Sequence, residues 1–169
     1  MSAQENGGTR SAQHLSPGEG RAWWFLTDLI IVRAVSEDTD GVFTLSELTA
    51  PPQSPPAPHI HHREDEIFYV LEGEFEFLDQ DRTFTAGAGS LVYLPKHRLH
   101  SHRNPADVPA KALVLHTPAG NIEKFFEEVS KPATDPSSLP LPPEEADIER
   151  FVTIAQEKYG FEVPPPPPG

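Results

Sequence analysis

Side chains able to bind a metal ion are concentrated in the middle third of this sequence, which holds six of its eight histidines. His59 and His61 are two residues apart, so on a strand both imidazoles point to the same face and can share one ion. Glu66 has the wrong parity for the same unbroken strand, and a turn at residues 63–65 would correct it. With His100 from a neighbouring strand, three imidazoles and one carboxylate would suit divalent Fe, Mn, Ni, Co, Cu or Zn. Without a cation, burying this set would carry a large desolvation cost.

The composition excludes several other classes of function. The chain has 169 residues, enough for one domain, and a formal net charge of −13, which argues against nucleic acids and anionic membrane surfaces. It has no cysteine, so the metal ligands must be nitrogen and oxygen atoms, and a cytoplasmic location is expected. The most apolar stretch, residues 22–32, is about half as long as the ~20 residues of a membrane-spanning helix. We therefore expect a soluble protein that binds neither nucleic acid nor a membrane.

The elements that must position these ligands are short strands between Trp23 and Thr117. The runs are β-branched or aromatic and are bounded by turn residues, which predicts an all-β barrel or sandwich. Asp40-Gly41 is a plausible hairpin turn, since both residue types tolerate positive φ. The predicted strands are 29–35, 42–49, 66–71, 74–78, 90–94 and 112–116.

After Thr117 the periodicity becomes helical. Asn121 can cap a short helix that runs to Val129, and Glu144–Tyr159 has apolar residues at helical spacing. Gly160 is the expected stop signal for the second helix. The predicted organisation is a flexible arm at 1–20, a barrel at 21–117, a helical extension at 118–160 and a proline-rich tail at 161–169.

Both halves of the ligand set lie in motifs that resemble those of the cupins. The first reads His59-Ile60-His61, four residues, Glu66, six residues, Gly73, and the second reads Gly89, five residues, Pro95-Lys96-His97, two residues, His100, three residues, Asn104. Two positions depart from the family pattern: a proline-rich run replaces the glycine before the first motif, and His97 replaces the glycine after Pro-x. His97 is therefore expected in a turn where φ is positive.

The resemblance implies a cupin double-stranded β-helix, a jelly-roll barrel, followed by short C-terminal α-helices. A single motif pair implies a monocupin, and Trp23-Trp24 and Phe125-Phe126 at its flanks look like the small quercetinase-type cupins. The expected function is that of a metal-dependent oxidoreductase, a dioxygenase of the quercetinase type acting on a small organic molecule. A redox-neutral isomerase, cyclase or lyase is the alternative, and a cupin that binds a small molecule without turnover is a third possibility.

Each further candidate residue has a structural and a functional interpretation. Glu66 is the expected catalytic residue, because its family counterpart takes a hydroxyl proton from the substrate. Phe68, Tyr93 and His102 are the candidate substrate-binding residues, although Phe68 and Tyr93 are of types more often found in a core. Among the other histidines, we expect His62 on the surface, His97 at the rim or in a turn, and His116 in a structural role.

Two of the strands are apolar on both faces. Ile67–Leu71 and Leu91–Leu94 carry apolar residues at nearly every position, so both of their faces must be covered. The barrel interior would cover one face, and a second subunit or the C-terminal helices would cover the other. We expect a homodimer.

Overall fold

The computed structural model of the protein describes residues 11–165. Half of the expected flexible arm, residues 1–10, and the end of the expected proline-rich tail, residues 166–169, lie outside this range. Inside it the strands are β1 (Arg21–Phe25), β2 (Asp28–Ala34), β3 (Thr44–Ala50), β4 (Ile60–His61), β5 (Asp65–Glu72), β6 (Glu74–Asp79), β7 (Arg82–Gly87), β8 (Leu91–Leu94), β9 (His100–Arg103), β10 (Ala110–Thr117), β11 (Lys131–Pro132) and β12 (Phe161–Glu162). The helices are α1 (Ser36–Thr39), α2 (Ile122–Val129) and α3 (Glu145–Lys158).

The strands form sheets whose inner faces share one core, which confirms the predicted all-β cupin-type fold. Seven strands pair in the order β11-β1-β2-β3-β10-β5-β8, three pair as β7-β6-β9, and β12 pairs with β4. The core contains Phe68 and Val70 from the large sheet and Phe75 and Phe77 from the small one. The Phe68 and Phe77 rings are 5.1 Å apart between centroids and nearly perpendicular.

Alternation along the strands decides which side chains reach the core. Phe75 and Phe77 of β6 point inward while Glu74 is exposed. On β10, buried and half-buried residues alternate along the whole strand. Because side chains of successive residues lie on opposite faces, each strand presents one row to the barrel interior and one row to the outside.

Both partners of β6 in the small sheet, β7 and β9, correspond to no predicted run. Half of the residues of β7 are polar, and β9 contains no aliphatic residue at all. Their strand structure comes from pairing with β6 on either side, not from local apolar periodicity.

The expected hairpin turn at Asp40-Gly41 has a different form. Both residues have positive φ, at 54° and 75° as expected, but Asp40 ends α1, which lies between β2 and β3. The connection is a helical turn closed by a left-handed residue, a geometry that Asp and Gly also favour.

The two C-terminal helices pack against the start of the chain. Phe25 of β1 contacts Phe125, Phe126 and Phe151, with ring centroids 5.9, 5.0 and 5.4 Å away. Gly160 has φ 69° just after α3, where the sequence predicts a helix stop. No helix within residues 11–165 is long and apolar enough to cross a bilayer.

Asn104, the last residue of the second motif, fastens the loop between β9 and β10. It is fully buried, and its amide group donates to the carbonyl oxygens of Pro51 at 3.0 Å and Val108 at 2.7 Å. Its side-chain oxygen accepts a hydrogen bond of 3.0 Å from the backbone N–H of Ala106. One side chain therefore provides partners for three backbone groups, which buried segments of chain require.

We predict that Asn104→Ala lowers the free energy of unfolding by about 2–4 kcal/mol, because several backbone groups lose a partner together. Denaturant unfolding followed by circular dichroism measures the change. Asp107→Ala, at an exposed position of the same loop, is the matched control and should stay within about 0.5 kcal/mol of the wild type. Equal stability of the two variants would contradict this role.

Candidate metal centre

The three ligand histidines are brought together by a strand bridge. The backbones of His59 and His100 exchange hydrogen bonds of 2.9 and 3.0 Å, so the start of β9 lies beside β4. His61 follows on β4 with its side chain on the same face, and it is 3% exposed. The chain bends at residues 62 and 63 and enters β5 at Asp65, close to the predicted break, which turns Glu66 toward the same point.

The ligand atoms of His59, His61, Glu66 and His100 all lie within 4.8 Å of one another. The Nε2 atoms of His59 and His61 are 3.0 Å apart, and His100 Nε2 is 3.1 Å from Glu66 Oε2. The imidazoles of His61 and His100 are stacked with 10° between their planes. The structure thus brings together all four residues that the sequence analysis selects as metal ligands.

The hydrogen bonds of the Nδ1 atoms, which point away from the cluster, decide the tautomers of these rings. His59 Nδ1 donates to the carbonyl oxygen of Ala57 at 2.7 Å, and His100 Nδ1 donates to that of Arg98 at 3.1 Å. A carbonyl oxygen can only accept, so each ring carries its proton on Nδ1 and presents the Nε2 lone pair to the cluster. His61 Nδ1 is 3.5 Å from a carboxylate oxygen of Glu64, which favours the same tautomer.

These tautomers leave acceptor atoms facing one another with no hydrogen between them. Glu66 Oε2 and His100 Nε2 are buried and have no hydrogen-bond partner within residues 11–165. Lone pairs at about 3 Å repel unless a cation lies among them, and buried polar atoms are almost always satisfied. The donor set therefore fits a divalent ion that prefers imidazole and carboxylate ligands.

Burial also keeps His59 and His61 in the neutral form that metal binding needs. Desolvation lowers the pKa of His59 well below its usual value, and the neighbouring His61 and His100 lower it further. Desolvation likewise lowers the pKa of His61, against the opposing effect of Glu64 and Glu66. A neutral imidazole can bind a metal through Nε2 without first losing a proton.

Glu66 is held as a carboxylate by its second oxygen. Burial alone would raise the pKa of Glu66, but the neighbouring imidazoles, among them the donor His116, outweigh burial, so that the pKa lies well below its usual value. His116 Nε2 donates to Glu66 Oε1 at 3.0 Å, which leaves Oε2 for the cluster. This arrangement favours an anionic ligand that binds through one oxygen.

The two remaining interior candidates lie on the inner face, behind the cluster. Phe68 is fully buried, and the ring of His102 lies 4.9 Å from it. His102 Nε2 is 3.7 Å from a carboxylate oxygen of Asp28, and His102 Nδ1 is buried without a hydrogen-bond partner among the described residues. Burial opposes protonation of His102, but the neighbouring Asp28 outweighs it and raises the pKa of the imidazole.

Tyr93, the third candidate substrate-binding residue, does not reach the cluster. Its side chain lies on the outer face of β8 and is 53% exposed. The inward positions of this strand belong to Val92 and Leu94, which are buried, so the alternation of the strand directs Tyr93 away from the barrel interior.

The family comparison is carried by the part of the chain that holds the site. Residues 46–116, from β3 to the end of β10, match the family model of the cupin domain. This segment of the chain is a cupin domain.

Individual relatives of this chain are distant. An uncharacterised protein of Methanocaldococcus jannaschii is 31% identical over 75 residues, which are 44% of this chain and only 60% of that protein. The polyketide cyclase RemF of Streptomyces resistomycificus has a TM-score of 0.55 at 23% identity, over 63% of this chain and 80% of that one. A Thermotoga maritima protein described as a predicted oxalate decarboxylase has a TM-score of 0.51 at 23% identity, over 53% and 79% of the chains. The two structural likenesses extend to the fold alone, and a quercetinase-type activity remains a proposal.

Sequence analysis missed the residues that contact the metal ligands and hold them in position. His116, expected in a structural role, contacts Glu66 because β10 and β5 pair these two residues directly. Buried Glu64 contacts His61, and the Asn121 amide donates to both of its carboxylate oxygens at 2.9 and 3.1 Å. Asn121 stands at the start of α2, but its side chain makes no helix-capping hydrogen bond, since it serves Glu64.

Of these residues, only His116 has a position that the sequence pattern predicts. His116 shares its parity with Ala110, Ala112 and Val114, so an inward-facing β10 predicts that it points into the barrel. Glu64 and Asn121 are 57 residues apart, and their contact depends on how the C-terminal extension packs on the barrel.

We predict that His116→Phe weakens metal binding about 10–100-fold, because Glu66 loses the donor that orients its carboxylate while the ring volume is kept. Competition titration of the metal-free protein against a chromophoric chelator measures the affinity. His116→Gln, which retains an N–H donor, is the matched control and should lose less. Wild-type affinity in His116→Phe would show that the contact with Glu66 has no influence on the ion.

Proposed function

We propose that this protein is a metal-dependent cupin enzyme that acts on a small organic molecule. The observation that carries the proposal is the set of facing acceptor atoms, above all the Nε2 atoms of His59 and His61 at 3.0 Å. A structural role for this cluster would not need acceptors without protons at its centre. Three histidines and one carboxylate also leave further positions open on a five- or six-coordinate ion.

The chain's own residues would prepare the site for a substrate oxygen atom. When bound, the ion would supply Lewis-acid or redox chemistry to that atom. Phe68, Phe75 and Phe77 line the interior behind the ligands and exclude water from it. Glu66 would bind through one oxygen and could take up the substrate's hydroxyl proton, with His116 holding its other oxygen.

Our first choice of reaction is oxygen-dependent cleavage of an enol or enolate substrate, as in quercetinase-type cupins. The support for this class is the quercetinase-like resemblance of the residues that flank the barrel, together with a ligand set that suits redox-active metals. An apolar interior beside the ligands favours an aromatic or otherwise hydrophobic substrate.

The pair of His102 and Asp28 favours a second candidate, a redox-neutral isomerisation, cyclisation or lyase reaction. His102 presents a buried Nδ1 without a partner, and Asp28 lies beside its other nitrogen. A histidine oriented by a carboxylate can donate or accept a proton at its free nitrogen. Isomerases, cyclases and lyases need such a proton transfer and do not use oxygen. In either candidate His102 is the residue that we expect to contact the substrate.

We predict that the purified protein contains about one equivalent of tightly bound metal per chain, and that a double substitution His59→Ala/His61→Ala abolishes it, because two of four ligands are lost. Inductively coupled plasma mass spectrometry measures the content. His14→Ala removes an exposed histidine from the segment before the barrel. It is the matched control and should retain the metal.

Reconstitution with different metals then separates the reaction classes. Oxygen uptake with flavonol or enediol probes, lost when zinc replaces iron, would support the dioxygenase. Turnover without oxygen and with zinc would support the redox-neutral enzyme. Tight binding of these probes without turnover would leave a binding protein. A wild type that takes up no metal on reconstitution would contradict the whole proposal.

We also propose that the cupin is a homodimer that pairs through the outer face of β5 and β8. This face carries Tyr69, Leu71, Leu91 and Tyr93, all exposed, whereas the C-terminal helix α2 packs on β1. β8 is the edge strand of the large sheet among the described residues. An apolar row beside an open edge is self-complementary across a two-fold axis.

We predict that Leu91→Lys/Tyr93→Lys converts the dimer into a monomer at micromolar concentration, because like charges would meet across the two-fold axis. Light scattering coupled to size-exclusion chromatography measures the mass. Val108→Lys changes another exposed apolar residue, which lies in the loop before β10, and should leave the dimer intact. A wild-type protein that is already monomeric would refute the proposal.

A further inference from the structure

A second group of histidines lies outside the barrel, on the opposite side of β4 from the metal centre. His62 follows directly after His61 but points outward, and its side chain is 41% exposed. Its Nδ1 atom is 3.0 Å from Nδ1 of His97, which belongs to the turn between β8 and β9. The two rings are tilted by 35° with their centroids 5.3 Å apart. Two imidazole nitrogens thus face each other at a separation that one bound ion can span.

His97 is held in a backbone conformation that its residue type disfavours. Its φ is 66°, in the left-handed region where glycine is the usual residue. The turn is fixed by a 2.7 Å hydrogen bond from the His97 N–H to the carbonyl oxygen of His61. Residues held in such a conformation tend to occur where the side chain has a function, because the surrounding structure must offset the strain. Here the side chain at that position meets His62.

Glu162 orients His62 from the other side. A carboxylate oxygen of Glu162 accepts a hydrogen bond from His62 Nε2 at 3.1 Å. With its proton on Nε2, His62 presents the Nδ1 lone pair toward His97. Carboxylate, histidine and metal in sequence form a common arrangement in metalloproteins, in which the carboxylate sets the tautomer and orientation of the ligand.

We propose that His62 and His97 form a second metal site, which takes Zn²⁺ or another divalent ion that prefers imidazole. In the metal-free protein one proton is shared between the two Nδ1 atoms. On binding, His97 carries that proton on Nε2 instead, both Nδ1 lone pairs bind the ion, and water completes its coordination. The inference does not depend on the proposed enzymatic function, since none of its residues is a ligand of the first site.

An ion at the second site would link segments of the chain that are distant in sequence. His62 adjoins β4, His97 lies before β9, and Glu162 belongs to β12. The backbone N–H of His62 also donates to the carbonyl oxygen of Gly160 at 3.0 Å, next to β12. An ion held by the two histidines would therefore tie together three segments that are distant in sequence, with the C-terminal strand attached through Glu162.

The test counts zinc equivalents in the full-length protein. Metal-free protein is titrated with Zn²⁺ against a chromophoric chelator, and we expect two equivalents, of which the second binds more weakly. His97→Gly should take up one equivalent. This variant supplies the residue that a positive φ favours, so it should fold at least as well as the wild type. His14→Ala, which removes a different exposed histidine, should still take up two.

Two further variants separate the sites from each other. His100→Ala should lose the tight equivalent and keep the weaker one, which distinguishes failure of the first site from failure of the second. Glu162→Gln should keep both equivalents and weaken the second about 10-fold, because it loses only the orienting carboxylate. A wild type that takes up a single equivalent, or a His97→Gly variant that still takes up two, would overturn the second site.

Discussion

The structure depends on a single electrostatic constraint, the meeting of several acceptor atoms inside an apolar barrel. His59, His61 and His100 each have their outer nitrogen directed at an oxygen atom, so their inner nitrogens converge as lone pairs. Such a cluster is costly to bury alone and favourable around a cation. The neutral His59 and His61, the ionised Glu66 and the buried phenylalanines of the core are all consistent with one bound ion.

The register of the strands places the ligand side chains at one point in the barrel. Glu66 pairs with His116 on one side and with Leu94 on the other, so a slip of one residue would turn the carboxylate out of the barrel. The register is protected by the core, because the same slip would expose Phe68 and Val70. Core packing and ligand placement are therefore specified together on β5. This coupling explains how a short sequence motif can reliably place a ligand.

The extent to which the sequence predicts this site follows the range of the interactions involved. His59 and His61 follow from spacing and strand parity, Glu66 requires only a turn at residues 63–65, and His100 follows from the spacing of the second cupin-like motif. The prediction that Tyr93 points into the barrel is wrong. β8 is apolar on both faces, so composition does not decide which residues of this strand point inward. The contact of His116 with Glu66 depends on the pairing of β5 with β10. The contact of Glu64 with Asn121 depends on the packing of the C-terminal extension. Short-range patterns thus predict the ligands, and tertiary structure decides their supports.

The C-terminal segment is as much a part of the site as the barrel. Phe161 lies outside the matched cupin domain, yet its ring is 4.6 Å from that of His61 and nearly perpendicular to it. The Asn121 amide, which holds Glu64, also donates to the carbonyl oxygen of Tyr159 at 2.9 Å. β12 pairs with the short strand β4, which carries His61. Because these contacts shape the wall beside the ligands, we expect the proposed enzyme to select its substrate partly through residues outside the matched cupin domain.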